Sequence, residues 1–494
     1  MLESILQEEL PMSLEFCDAL SFVQSLTPTW RKTQQVILAE LMCAVQERPT
    51  LCLSDIARAL PPGPGASEEQ SLHGRLKRVE RFLSNPRLDE AALFVRWFHL
   101  TLCFGTDPGT GAGEAPILPL LLDTTYFEPF AALIVSVPCG SRGLPVALTT
   151  YQRNTLEACF PPATTWPTYA TSICPPAARR GQRVVPASSV VEVHWSQNLI
   201  EQQLLDYVWS FLTPGLWVVV VADRGFARAS LFLWLQAQQR DFVIRFDGDT
   251  WLSLPDGTTG ATKEVLSLRP GQSRWLPVAY YGKEERVPVA VLTVWDTNQT
   301  EPWYLATTFA APQTTETVYR WRMRIECGNR DQKSGVILRE GGDQHRLTAT
   351  LHLHRLLLVI LCAHWLAALV GLQAHHDLPA AQSGTLDLAS STTLEYAMPN
   401  SHTWNLLDQG PAQPPPTIPH RGAPQKPPSW MRRFAARGHL SYVRLGMEIL
   451  RTQDLARLVR RAVRWLGLYL WRLAPLWRPW QTRYRLRHWW PLPT

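Results

Sequence analysis

Four side chains between Tyr319 and Lys333 carry the most reactive pattern in the chain. Read as a helix, Tyr319, Arg322, Glu326 and Lys333 fall on one narrow stripe. That stripe combines an aromatic hydroxyl, a guanidinium, a carboxylate and an ammonium, while Val318, Trp321 and Ile325 project elsewhere as an apolar face. A carboxylate set among cations suits a site that holds a metal ion and gathers phosphates around it. A solvated basic face on an amphipathic helix is the plainer alternative.

Two further acids sit where a fold holds side chains rigidly. The apolar run Ile117–Leu122 ends on Asp123, and the run Leu216–Ala222, rich enough in valine for a strand buried on both faces, ends on Asp223. An acid just past a buried strand lies at a sheet edge, where α/β folds place chemistry. Asp123, Asp223 and Glu326 together predict a divalent-metal site. Mg²⁺ takes oxygen ligands and keeps waters, so a few carboxylates and a substrate phosphate suffice, and Mn²⁺ is a natural substitute. Such ions can activate a water or a 3′-hydroxyl for in-line phosphoryl displacement.

The elements that must position these acids follow from periodicity. Ala131–Val137 and Leu144–Thr150 read as strands pairing with the first run, across turn signals at Pro138–Gly143. Asn198–Leu212 and Ala227–Gln239 read as helices, and Phe242–Phe246 as another strand. Residues 247–312 are turn-rich and β-like, with strands at Val287–Val294 and Trp303–Thr307, and form a β insertion between the second and third acids. Leu347–Leu372 forms a long apolar helix that closes the core. Its stretch from Leu356 is short for a membrane span and contains His364, which favours a buried core helix.

Before this core, residues 1–110 read as helical: Gln34–Gln46, Leu53–Leu60, a Pro/Gly break at Pro61–Gly65, the basic helix His73–Leu83, and Ala91–Phe104. That order is compatible with a helix-turn-helix-like DNA reader and equally with a helical bundle that has one solvated basic side. Gly105–Glu114 reads as a linker, and residues 151–193, rich in Pro, Thr and Ala, as a surface excursion.

A chain of 494 residues predicts about two to four domains. Its net charge of +6 is unevenly placed: from Trp430 to Thr494 there are 14 Arg against Glu448 and Asp454, giving 14 − 2 = +12 and leaving −6 elsewhere. A basic tail on an acidic body points to a polyanionic partner. The nine scattered cysteines show neither paired nor zinc spacing, and the N-terminus lacks the basic start of a signal peptide, so a reducing cytoplasm is expected.

The chain resembles a known family on three blocks. Asp123, Asp223 and Glu326 look like the Asp-Asp-Glu triad of bacterial insertion-sequence transposases. The signature Tyr-x2-Arg-x3-Glu-x6-Lys of one large group is matched at every spacing by Tyr319, Arg322, Glu326 and Lys333. Leu121-Leu-Asp-Thr-Thr and Asp223-Arg-Gly-Phe are similar to that group's other two blocks. The resemblance spans about residues 25–375. It implies an RNase H-like core at 115–246 and 313–375, interrupted by the β insertion at 247–312. It also implies Mg²⁺-dependent cleavage at the terminal inverted repeats of a transposon by a homodimer, then joining to target DNA. Tyr319, Arg322 and Lys333 would then contact phosphates near the cut. Cleavage in this group commonly passes through a hairpin with a tryptophan holding a flipped base, for which Trp295 and Trp303 are the nearest candidates. Arg330 can join the DNA face, Arg324 faces solvent, and Arg224 orients an anion or makes a structural ion pair.

The resemblance stops before the C-terminus. Residues 373–429 are a Pro-rich linker, and 430–494 a basic Arg/Trp tail with amphipathic helical pattern, suited to DNA or dimer contacts. A membrane surface or pairing with the acidic body are alternatives. A metal nuclease that cuts without rejoining, and a DNA-binding relic without catalysis, are the competing functions.

Overall fold

The computed structural model describes residues 16–48, 50–61, 68–102, 117–139, 142–154, 158–159, 196–212, 217–323, 347, 349–377 and eight positions between 446 and 466. Five helices come first: α1 (Phe16–Leu26), α2 (Lys32–Glu47), α3 (Leu53–Ala59), α4 (Glu68–Leu83) and α5 (Glu90–Leu102). The basic residues of α4 are largely engaged within the fold. Arg78 pairs with Glu40, Lys77 lies 2.8 Å from Glu80, and Arg75 donates to the carbonyls of Arg58 and Leu60, closing the C-terminal end of α3.

A mixed α/β body follows. Strands β1 (Ile117–Phe127), β2 (Phe130–Cys139) and β3 (Arg142–Gln152) form an antiparallel meander, extended by the short β4 (Ala158–Cys159). Helix α6 (Gln197–Trp209) is capped by the Ser196 hydroxyl, which accepts from Leu199 N at 3.2 Å, and leads to β5 (Trp217–Ala222). A 3₁₀ turn (Arg224–Phe226), α7 (Ala229–Ala237) and β6 (Asp241–Phe246) come next. Strands β5 and β6 run parallel to β1.

Strands β7 (Trp251–Ser253), β8 (Thr259–Ala261), β9 (Ser273–Tyr281), β10 (Val287–Val294) and β11 (Trp303–Thr307) continue the same sheet, because β11 pairs antiparallel with β6. Among the described residues the sheet has 11 strands, ordered β4-β3-β2-β1-β5-β6-β11-β10-β9-β7-β8. The β-rich stretch thus lengthens the sheet that carries Asp223. A one-turn helix α8 (Thr262–Val265) lies within it. Helix α9 (Pro312–Arg320) opens with proline at its first position, where the missing N–H costs nothing.

Alternation sets two unequal faces on β1, β5 and β6. Leu118, Leu120, Leu122, Val218, Val220, Ala222, Phe242 and Ile244 join the main core with the helices. Ile117, Leu121, Val219, Val221 and Val243 face a smaller cluster with Phe309, Val318, Tyr319 and Trp321. The main core is closed by α10 (Thr350–Asp377), whose apolar stretch 350–372 is long enough to cross a membrane, yet an 18-residue window of it is 94% buried within the fold. Core packing accounts for its composition.

Polar groups lock α5 and α10 onto this face. Glu90 accepts from His354 Nε2 at 2.8 Å and from Arg355 Nε at 2.9 Å, with all three side chains buried. The indoles of Trp97 and Trp365 stack at 4.5 Å and both donate to the carbonyl of Pro145, at 3.0 and 2.8 Å. Farther along the chain, Met447, Leu450, Val459, Ala462, Val463 and Leu466 are buried in the same core. Gly446 lies so close to α10 that a β-carbon there would fall 1.7 Å from the carbonyl of Ala367, which only glycine avoids. Of the linker expected at 373–429, residues 373–377 instead continue α10; the rest of it, the linker at 105–114, most of the 151–193 excursion and most of the Arg/Trp tail lie outside the described residues.

Candidate active site

Asp123 and Asp223 are brought together by strand register. The parallel pairing of β1 with β5 ends at Leu122 opposite Ala222, so each acid is the next residue on its own strand. Neighbouring strands lie about 4.8 Å apart. Both acids continue the odd-numbered series, facing the smaller cluster, and both are partly exposed. One difference from expectation concerns Asp123. It lies within β1, which continues to Phe127 because its antiparallel pairing with β2 outlasts the pairing with β5. Asp223 does sit past the end of its strand.

The Asp223 carboxylate is held at both oxygens. Oδ1 accepts from the backbone N–H of Gly225 at 2.9 Å, capping the 3₁₀ turn, and Oδ2 is 3.2 Å from Arg322 Nη2. Arg322, 99 residues away, has a side chain only 13% exposed, so this is a partly desolvated ion pair. It is delivered by the end of α9, where Trp321 N bonds Val318 O at 3.2 Å and Arg322 N bonds Tyr319 O at 2.9 Å. These three-residue closures tighten the last turn and stop the helix.

Of the stripe expected for 319–333, Tyr319 and Arg322 are the members among the described residues. Helix α9 ends at Arg320, and Arg322 lies past it in a turn. Tyr319, expected to contact phosphates near the cut, is 1% exposed, with its ring against the edge of Trp303 at 5.1 Å. Its aromatic body gains more from burial than its hydroxyl would gain in water. Trp303 is half-buried, and Arg320 lies over its ring at 5.4 Å while pairing with Glu316 at 2.6 Å and Asp296 at 3.2 Å. Trp295 donates to Gln299 O at 3.1 Å. Glu326, Lys333, Arg324 and Arg330 lie outside the described residues.

Charged neighbours complete the rim, and of these the sequence singled out only Arg224. Arg245 follows Val243 on the same face of β6 and pairs with Glu301. Arg224 lies 3.1 Å from Asp247 and 3.8 Å from Glu301, an exposed network that favours the ion-pair reading of that arginine. Behind the strand end, Glu201 on α6 pairs with Arg228, whose Nη1 donates to Gly225 O at 2.7 Å. Burial pushes the Glu201 carboxyl up to about 7, against the lowering effect of Arg228. A charge on the otherwise apolar side of a helix, beside Ile200 and Leu204, was the available sign of Glu201.

Two aspartates on adjacent strands, partly exposed and on one face, offer the hard oxygen donors that a small divalent cation prefers. Among the described residues no group of three acidic, histidine or cysteine side chains that could hold a metal ion is assembled.

Residues 201–366 match the transposase DDE domain. This stretch takes in Asp223, the 3₁₀ turn, α9 and Glu326, and begins after Asp123. The match supports an enzyme that acts on DNA as a transposase. None of the curated proteins matches the chain significantly.

Proposed function

We propose that the chain is a cut-and-paste DNA transposase with an RNase H-like core, acting in the cytoplasm as a homodimer on the terminal repeats of its own element. The observation that carries this reading is the matched register of Asp123 and Asp223 on adjacent parallel strands, with Arg322 against one of them. The order β3-β2-β1-β5-β6 supports the assignment of the core. Asp123, Asp223 and Glu326 would hold Mg²⁺ or Mn²⁺, which would supply an activated water or 3′-hydroxyl and charge stabilisation for the leaving oxygen.

The protein's own groups do the rest. The two aspartates fix the site against a rigid sheet, and Arg322 pairs with Asp223, a contact that a bound cation would compete for. Released from that pair, its planar donors suit a DNA phosphate, and Lys333 adds a second cationic contact. Tyr319 supports the turn that carries Arg322, through its packing on Trp303.

The test uses duplexes made from the DNA flanking the reading frame, supercoiled target plasmid and Mg²⁺. Cleaved ends joined to the plasmid are the expected products. Cleavage without joining would instead support a metal nuclease, and end binding without cleavage a catalytically inert relic. Glu326→Gln should keep end binding and lose cleavage, since one metal ligand is removed and the cations remain. Full cleavage by that variant would remove Glu326 from the metal site.

A further inference from the structure

The pair Glu201 and Arg228 has a place in the site that the transposase reading does not use. The Glu201 side chain is 1% exposed; its Oε1 accepts from Gln197 Nε2 at 3.1 Å and its Oε2 meets Arg228 Nη2. The same guanidinium spends its other terminal nitrogen, Nη1, on the carbonyl of Gly225 at 2.7 Å. Gly225 in turn donates its N–H to Asp223 Oδ1 at 2.9 Å. One peptide turn is therefore gripped from behind by Arg228 while it grips the carboxylate in front. The fit is close: a β-carbon on Gly225 would lie 3.1 Å from that same oxygen. The charge of Asp223 also adds to the rise of the Glu201 pKa, so the two acids are within electrostatic reach.

We propose that Glu201 and Arg228 are positioning residues, which fix the Asp223 carboxylate for metal binding by holding the turn at Gly225. A guanidinium fork can span a carboxylate and a carbonyl at once, whereas an ammonium is a single point of charge. Burying Glu201 around Arg228 keeps that fork aimed, since neither partner tolerates burial alone. The role rests on the metal reading of Asp123 and Asp223 above.

The experiment measures Mn²⁺ affinity of the full-length protein by the EPR signal of free Mn²⁺, together with thermal midpoint. Removing Arg228 alone strands the Glu201 carboxylate in the core, so the informative change is the double variant Glu201→Leu with Arg228→Met. It should weaken Mn²⁺ binding about tenfold or more while the fold persists. Gly225→Ala, which leaves the buried pair intact, should weaken it as well, because the new methyl presses on Asp223 Oδ1. If Asp223→Asn lowers Mn²⁺ affinity but both the double variant and Gly225→Ala bind as the parent does, the positioning role is wrong and the metal reading stands. If Asp223→Asn itself leaves the affinity unchanged, the metal reading fails and this role falls with it. A double variant that does not fold passes the decision to Gly225→Ala, whose parental affinity would overturn the proposal.

Discussion

The two faces of strands β1, β5 and β6 differ in how their polar groups are used. On the thick face, Glu90, His354 and Arg355 are buried and mutually bonded, and the indoles of Trp97 and Trp365 converge on one carbonyl. The first group ties α5 to α10, and the second holds both helices against the sheet. On the thin face the packing stops at Leu121 and Val221, and the next residues along that face, Asp123 and Asp223, are partly exposed carboxylates. The same alternation that builds a core on one side delivers chemistry at the margin of the other. Rigidity comes from the thick face, which reaches around the strand end through Arg228 to the turn that holds Asp223.

If that division is right, substitutions on the two faces should separate activity from stability. The largest effect is expected for Asp123→Asn and Asp223→Asn, each lowering end cleavage by more than about a thousandfold. Their thermal midpoints should stay within about 3 °C of the parent. A comparable loss of stability would mean that the acids serve the fold. Glu90→Gln should do the reverse, because it leaves Arg355 buried beside a neutral group. A loss of about 3 kcal/mol in urea denaturation is expected, with Mn²⁺ affinity of the folded protein unchanged.

A third, smaller effect separates the faces by pH. Burial lowers the pKa of His99 on α5 to about 4. The unfolded chain therefore binds a proton near pH 6.5 that the folded chain refuses until about pH 4, so stability falls as pH drops through that window. Denaturation between pH 7 and 4 should show a loss about 2–3 kcal/mol greater in the parent than in His99→Gln. Equal losses would show that His99 does not titrate this way. The buried Glu90 carboxylate responds to acid in the same direction. Burial opposes its ionisation, but His354 and Arg355 more than offset this and hold its pKa below 4.5, so its contribution is lost only as pH falls through the folded value. The smallest change is expected for Lys333→Ala, which should reduce the slope of log affinity against log salt for DNA ends by about 1. An unchanged slope would remove Lys333 from the phosphate contacts.

Much of this arrangement is legible in the sequence where the signal is local. The valine run before Asp223 and the helix 350–377 stand close to where hydrophobic pattern puts them, since apolar run length is a property of neighbours in the chain. The end of α9 is not legible in that way. No glycine or proline follows Arg320, and a helical wheel passes over a turn closed by backbone bonds at Trp321 and Arg322. The wheel also sets Tyr319 beside Arg322 as two polar groups, where the fold buries one and aims the other at Asp223. Pairings such as Arg322 with Asp223, or Glu90 with His354, join residues too far apart in the chain for any periodicity to reveal them.

The parallel register of β1 and β5 carries one more consequence, for how this gene can change. Substitutions at Leu121 or Val221 alter packing by degrees, but gaining or losing a single codon in either strand before its acid would rotate one carboxylate into the helix-covered interior. The two aspartates would then look in opposite directions from the same sheet. Relatives that keep the chemistry should therefore vary these strands in composition and conserve their length, taking up insertions in the connections instead.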